Sequence, residues 1–432
     1  MDKQLAQLRS PSKLFVETTT RCNLGCFMCV KQTCDHAIVE GDMSLTTFAA
    51  LQPAFSGLEA LVLNGVGEPL LNQNLEAFIR QARSSMPKDS WIGFQSNGKL
   101  LDESRAVSLL EAGLDRICIS IDSISEETFR KVRDGGELDD ISDAFSALAS
   151  AKRRTGRDDF RIGVEFVAMQ GNLHELPEAI AWSARRGASF ALVTHVLPYD
   201  SQHADESVYG RCSDEALALF QKWQSEAERE GLDIYAYFEI SMKYSKTPVE
   251  QRLMGMVDAM KAEAEANNVS LNLKKLLSHD HGRSAEVSAV FDTARAVAEE
   301  VGLELRLPEV MLKEKRSCTF VEEGGAFVAW DGSISPCYFL WHRYSCFASG
   351  WSQQVQQKVF GNVNEQGVLD IWNGAPFRSF RTGVTAYDYA HCASCSLAPC
   401  DYVQTDSFEQ DCHIRDVPCG ACLWCAGIFQ CL

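Results

Sequence analysis

Between residues 14 and 196 of this 432-residue chain, short apolar runs alternate with amphipathic stretches, and few folds accommodate that rhythm. The short apolar runs at 14–17, 60–63, 91–95, 116–121, 161–168 and 190–196 read as strands. Between them, 74–86, 102–112, 141–154 and 175–186 carry apolar residues at helical spacing. Strands alternating with helices over short connections build a parallel sheet through right-handed crossovers. The expected fold is α/β, a partial (β/α)6 barrel of TIM type over residues 1–199.

The rhythm changes after Asp200. Thr247, Pro248 and Glu250 read as a capping box with proline at the first helical position, followed by Val249, Leu253, Met256, Val257 and Met260 on one face. Residues 200–281 are therefore expected to be a helical insertion, with the methionines in its core. A second stripe, Val287, Val290, Phe291, Ala294, Val297 and Val301, stops at Gly302 and marks 282–312 as the last barrel helix and a connector. Residues 313–432 hold eleven of the 17 cysteines and few periodic runs, so a small domain held by clusters is expected there.

A net charge of −18 repels phosphate backbones and anionic membranes, which argues against nucleic acid and membrane partners. No apolar stretch approaches a membrane span, and MDKQLAQLRS does not read as a secretory leader, so a cytoplasmic location is expected. In a reducing compartment, grouped cysteines read as metal ligands rather than disulfides. Cys34, Cys118 and Cys212 stand outside the groups, and Cys118, inside an apolar run, reads as a small buried hydrophobe.

Cys22, Cys26 and Cys29 form C-x3-C-x2-C directly after the first strand. Three thiolates at that spacing can hold three irons of a four-iron cluster and leave the fourth open to a small molecule. A zinc knuckle or a few buried thiols is the competing reading of a bare three-cysteine pattern. Gly65, Gly67, Glu68 and Pro69 follow the second strand, where the mouth of a βα barrel places its chemistry. The glycines allow close backbone approach, and Glu68 can take an ammonium group. Ser96 and Asn97 end the third strand, and Ser120, Asp122 and Ser123 the fourth. Asp122, Glu165, His195 and Tyr199 are the candidates for the substrate side of the cavity, by strand-end position. His279 and His281 could pair at a metal, although a solvated loop cap explains them as well.

In combination, these loops resemble the radical SAM superfamily, over residues 12 to about 200. The resemblance implies that Cys22, Cys26 and Cys29 ligate a 4Fe-4S cluster whose open iron takes the methionine part of S-adenosylmethionine, with Met28 lining the adenine pocket. Gly65, Gly67 and Glu68 would hold the ammonium, with Val66 replacing a family glycine. Ser96 would sit by the carboxylate, and Ser120 and Asp122 by the ribose. It further implies reductive cleavage to a 5′-deoxyadenosyl radical that abstracts a substrate hydrogen.

The C-terminal region resembles the SPASM domain, which carries auxiliary clusters. Cys318, Gly332 and Cys337 fit its first element; Cys392, Cys395 and Cys400 give C-x2-C-x4-C, one residue short of the pattern. The resemblance implies two auxiliary 4Fe-4S clusters. One would take Cys318, Cys337 and Cys412, with Cys346 a fourth ligand or an open site. The other would take Cys392, Cys395 and Cys400, with its fourth ligand open among Cys431, Cys419, Cys422 and Cys425. Cys425 is surplus to the subgroup that the tail and THVLPY most resemble, the maturases accompanying tungsten-containing oxidoreductases of the aldehyde ferredoxin oxidoreductase type.

The family implies an oxidoreductase that matures a peptide or protein substrate, fed by a flavodoxin or ferredoxin. Radical modification of a small molecule, such as a cofactor precursor, sugar or nucleoside, is the alternative, and an iron-sulfur electron-transfer protein is the nonenzymatic one. GVGEP argues against the last, since a carrier has no use for an S-adenosylmethionine pocket.

Overall fold

The computed structural model describes residues 7–33, 36–348, 351–386, 422–430 and 432. Six strands fall where the apolar runs place them: β1 Lys13–Val16, β2 Ala60–Val62, β3 Trp91–Ser96, β4 Arg116–Ser120, β5 Arg161–Ala168 and β6 Phe190–His195. Neighbours run parallel, with Leu14 opposite Leu61, Val62 opposite Gly93 and Ile119 opposite Val164. Helices Leu75–Arg83, Glu103–Ala112, Leu138–Thr155 and Leu176–Arg185 return the chain between strands. Their ends follow local chemistry. The Asp102 carboxylate accepts from the Arg105 N–H at the start of one, and Gly113, at φ +106°, ends it in the left-handed region that favours glycine.

Alternate strand residues divide the two faces of the sheet. Leu14, Val16, Ile117, Ile119 and Val193 join Phe78, Leu109, Leu148 and Ile180 of the helices in the main core. Each such side chain contributes about 1.5–3 kcal/mol by leaving water. Phe15, Val62, Cys118 and Leu192 point to the inner face.

The sheet is larger than the six strands expected. β7 (Glu304–Arg306) adds parallel to β6, and β8 (Gly325–Val328) adds parallel to β1. β9 (Ser333–Ser335) continues antiparallel from β8. β10 (Tyr344–Ala348) and β11 (Trp351–Val355) make a separate hairpin, and β12 (Gly361–Asn362) pairs with β9. Among the described strands β7 and β8 do not pair, so the barrel is partial and open.

Between β6 and the helix His281–Val301 lie helices Ser201–Asp205, Asp214–Arg229, Tyr237–Ser241, Pro248–Ala266 and Leu273–Leu277. They bury Phe220, Leu253, Met256, Val257 and Met260 in a core of their own. Thr247 and Glu250 cap one another's backbone N–H groups as their spacing demands. Helix His281–Val301 packs on Leu176–Arg185 and leads into β7, closing the βα unit that the inserted helices interrupt. Asp280 caps that helix, and the His279 and His281 rings meet edge to face 4.6 Å apart. Among the described residues no helix is long and apolar enough to cross a membrane.

Candidate radical and cluster site

The loop after β1 carries Cys22, Cys26 and Cys29, all half-buried at the C-terminal end of the strands. Its path is fixed by backbone bonds to the end of helix Glu126–Val132 and the residues just after it: Gly25 N–H donates to Asp134 O (2.9 Å) and Phe27 N–H to Val132 O (2.8 Å). The Phe27 ring stacks on His203 at 4.6 Å, and His203 Nε2 meets the Phe27 carbonyl at 2.7 Å. His203 Nδ1 lies 2.6 Å from Asp200 Oδ1. The first inserted helix thus clamps the cysteine loop from outside.

Two N–H groups reach the thiols. Asn97 Nδ2 lies 3.9 Å from Cys22 Sγ and donates to Asn23 Oδ1 (2.8 Å); Arg133 Nη1 lies 3.9 Å from Cys26 Sγ. Burial raises the Cys26 thiol while Arg133 pulls it down, and burial pushes Cys29 up to about 11. Among the described residues, no three Cys, His, Asp or Glu side chains converge as a single metal ion requires. A four-iron cluster takes its thiolates at separate corners. Three thiols on one braced loop, with an amide and a guanidinium turned toward the sulfurs, are a donor set that fits such a cluster.

The GVGEP loop lies against this loop. Glu68 N–H donates to Arg21 O (2.7 Å), and a Cβ on Gly67 would stand 2.4 Å from both the Arg21 and Thr19 carbonyl oxygens, so only glycine allows the approach. Gly65 is equally tight against Glu17. Glu17, fully buried, accepts from Val66 N–H (3.1 Å) and pairs with His342 Nε2 (3.1 Å), tying the first two strand ends to the C-terminal region.

The structure gives several expected ligand-side residues another partner. Glu68 Oε1 accepts from the Ser96 hydroxyl (2.8 Å) and Leu70 N–H (3.2 Å), and Oε2 accepts from Asn97 N–H (2.8 Å). Ser96 also accepts from Gly98 N–H (3.1 Å). Glu68 and Ser96 thereby brace the turn that aims Asn97 at Cys22. Asp122, fully buried, forms an ion pair with Arg133 (2.6 Å) and accepts from Val167 N–H (2.8 Å). Ser120 ends β4 opposite Glu165 in register, and Met28 is half-buried between Cys26 and Cys29.

Glu165 faces the inner side and is bonded to the Gln95 amide, which in turn meets Asn64. Burial, with Asp122 adding to it, pushes the Glu165 carboxyl up to about 7 despite the Gln95 bond. A carboxyl raised above its unfolded value binds more protons when folded, so its stability contribution is greatest below about pH 4.3 and is lost as pH rises toward 7. Glu165→Gln should therefore remove a loss of stability between about pH 4 and pH 7 that the parent shows in urea unfolding. Identical pH profiles would contradict this placement.

His195 requires a correction. It was expected at the barrel mouth, but its ring lies 5.9 Å from Phe291 of the outer helix and its Nε2 meets Glu309 O at 3.0 Å. On β6 the inner face belongs to Phe190 and Leu192, and the intervening residues point outward. Burial lowers the His195 imidazole to about 4, as suits a neutral packing residue. Tyr199 stands between the cysteine loop and the C-terminal region, edge to face with Tyr344 at 5.5 Å. Burial, then the nearby Cys29 and Cys346, raise its hydroxyl.

Cys318, Cys337, Cys346, Cys422 and Cys425 are buried in one cluster with Phe320, Tyr338 and Tyr344. The final segment is pinned beside the connector, where Ser317 N–H donates to Cys425 O (3.0 Å) and Lys313 N–H to Ala426 O (3.0 Å). This brings Cys425 into the electrostatic neighbourhood of Cys318 and Cys337, whose thiols burial pushes to about 12 and about 11. Cys425, surplus in the sequence pattern, thus joins that pair. Cys346 lies on β10 beside Tyr199 and is raised to about 12 by burial alone. Cys118 is fully buried on the inner face, as its apolar setting implied. Cys34, Cys392, Cys395, Cys400, Cys412, Cys419 and Cys431 lie outside the described residues.

Sequence reasoning missed Arg133 and His203, and quoted Asn97 without a role. Only Asn97 carried a signal, its place in the same strand-end tripeptide as Ser96.

Residues 16–160 match the family model of the radical SAM superfamily, and residues 318–396 match that of SPASM, an iron-sulfur cluster-binding domain. The chain carries a radical SAM domain and a SPASM domain. The two matched segments hold the cysteine loop and, of the buried C-terminal cysteines, Cys318, Cys337 and Cys346, while Cys422 and Cys425 lie beyond them. The chain is 26% identical over 424 residues to the tungsten-containing aldehyde ferredoxin oxidoreductase cofactor-modifying protein of Pyrococcus furiosus, covering 97% of this chain and 96% of the relative. It is 29% identical over 220 residues to GTP 3′,8-cyclase of Desulforamulus reducens, covering 49% of this chain and 60% of the cyclase. Streptococcus suis SuiB bound to S-adenosylmethionine shares the fold, at TM-score 0.52 and 12% identity, over 95% of this chain and 77% of SuiB.

Proposed function

We propose that this chain cleaves S-adenosylmethionine reductively and uses the resulting radical to remove hydrogen from a peptide or protein, in an oxidative maturation step. One observation carries the reading: Asn97 and Arg133 converge on Cys22 and Cys26 beside a GVGEP loop locked by its backbone to the cysteine loop. Cys22, Cys26 and Cys29 would hold the cluster, which when bound and reduced supplies the electron that splits the sulfonium. Arg133 balances its negative charge and Asn97 donates toward its sulfur. The Gly65–Gly67 backbone is left to receive the ammonium, since Glu68 already accepts from Ser96, Leu70 and Asn97. Ser120 and Met28 keep their places toward ribose and adenine, and Glu165 and Tyr199 theirs toward substrate.

Maturation draws support from the Pyrococcus furiosus relative, aligned over nearly all of both chains and named for modifying the cofactor of a tungsten enzyme, a name that equally fits the small-molecule reading in which the cofactor loses the hydrogen. Cys318, Cys337 and Cys425, with cysteines of 392–431, would hold two auxiliary clusters, and a flavodoxin or ferredoxin would supply electrons. Anaerobic reconstitution should then give about twelve irons per chain. Reduced with dithionite, that protein should turn S-adenosylmethionine into methionine and 5′-deoxyadenosine. Iron near four would remove the auxiliary clusters from the proposal, and absence of 5′-deoxyadenosine would remove its chemistry.

A further inference from the structure

At the opposite end of the strands from the cysteine loop, the inner face opens into a cavity of about 420 Å³, within the range of small-molecule sites. Lys13, Arg116, Arg161, Arg306, Lys313 and Lys315 line it, in a chain whose net charge is −18. Its three side-chain carboxylates are already paired, and Leu432, the last residue of the sequence, also lines it. Glu323 takes Lys13, Glu309 takes Lys313, and Glu304 is shared by Arg161 (2.9 Å) and Arg306 (2.9 Å). Arg116 and Lys315 form no ion pair among the described residues. Arg116 lies over the Trp91 ring, 3.8 Å from its centroid, and its Nε has no hydrogen-bond partner among the described residues. Burial, then repulsion from Arg161, draw it down to about 10. Trp424 and Phe190 complete aromatic walls.

We infer that this cavity binds a small molecule carrying phosphate groups and a flat ring. Clustered guanidinium groups sharing one carboxylate are relieved by an anion, and their forked donors match phosphate oxygens. The aromatic walls offer a ring apolar faces. Arg116 begins β4 and Asp122 lies just past its end, about 20 Å away at about 3.3 Å per residue, so a ligand held there is beyond direct hydrogen abstraction. Cys425, proposed above as an auxiliary-cluster ligand, also lines the cavity, so the inference is independent of the cleavage chemistry at Cys22, Cys26 and Cys29 but sits beside the proposed auxiliary cluster, and it is read by binding alone.

The test is equilibrium dialysis of the full, anaerobically reconstituted chain against ATP and, separately, inorganic tripolyphosphate. ATP should bind at submillimolar concentration, more tightly than tripolyphosphate. Arg116→Gln should weaken ATP about tenfold or more while leaving S-adenosylmethionine binding unchanged. Should Arg116→Gln fail to fold, the exposed Lys315→Gln reads the same loss on a smaller scale. No binding of either polyanion at millimolar concentration overturns the inference, as does ATP binding that the foldable variants leave unchanged. Equal affinity for both probes overturns its ring component.

Discussion

Replacing Cys26 with alanine should remove about four irons per reconstituted chain and reduce 5′-deoxyadenosine formation to background, while the far-ultraviolet circular dichroism stays that of the parent. The selectivity follows from how the loop is held. Its backbone is fastened to Val132 and Asp134, its Phe27 ring is stacked on His203, and Glu68 N–H ties the neighbouring loop to Arg21. None of these contacts uses the Cys26 thiol, so alanine there removes a ligand and leaves the scaffold. Cys118→Ala makes the contrast. That thiol is fully buried among Phe190 and Leu192, so its loss should lower stability and leave the iron count alone. Iron analysis with product chromatography checks both, and an unchanged iron content in Cys26→Ala would take the cysteine loop out of the proposed site.

The strands were legible because each is an apolar run buried on one or both faces and bounded by turn residues. β2, β3, β4, β5 and β6 begin at the residues their sequence indicates. β7 escaped because it has three residues in an exposed, half-exposed, exposed pattern, which gives no apolar signal. β8 is apolar throughout but lies among cysteines that suggested a cluster-held region without a sheet. The cysteine loop was legible for a different reason, since ligand spacing is local. What surrounds it is not local: Arg133 stands 107 residues from Cys26 and His203 stands 176 from Phe27, so only the fold reveals either contact. His195 shows how a strand-end assignment turns on register, because a shift of one residue exchanges the inner and outer faces. Glu68 and Asp122 were found as polar strand-end residues, but their bonding partners were beyond the reach of any spacing argument.

Arg133→Met should be among the most damaging single changes away from the cysteines, because it leaves Asp122 charged and fully buried with no cation. Breaking one side of a buried pair typically costs about 3–5 kcal/mol, more than a methionine of similar volume can return by packing. The pH dependence gives the effect a signature. Burial already raises the Asp122 carboxyl and Arg133 opposes that rise, so removing the guanidinium lifts it further. A folded-state value above the unfolded one, about 3.9, means that the folded variant holds the proton more tightly. Its deficit should be small where the carboxyl is protonated in both states, grow as pH rises through the raised value, and level off above it. Urea unfolding at about pH 5 and about pH 8 should show the larger gap from the parent at the higher pH. Asp122→Asn combined with Arg133→Met should recover most of the stability at the higher pH, since no buried charge is left unpaired. The double variant should still bind iron less tightly, because it lacks the cation 3.9 Å from Cys26 Sγ. Recovery of stability without recovery of iron would separate the two jobs of Arg133, pairing a buried carboxylate and balancing the charge of a cluster. Full recovery of both would mean that only the first is real.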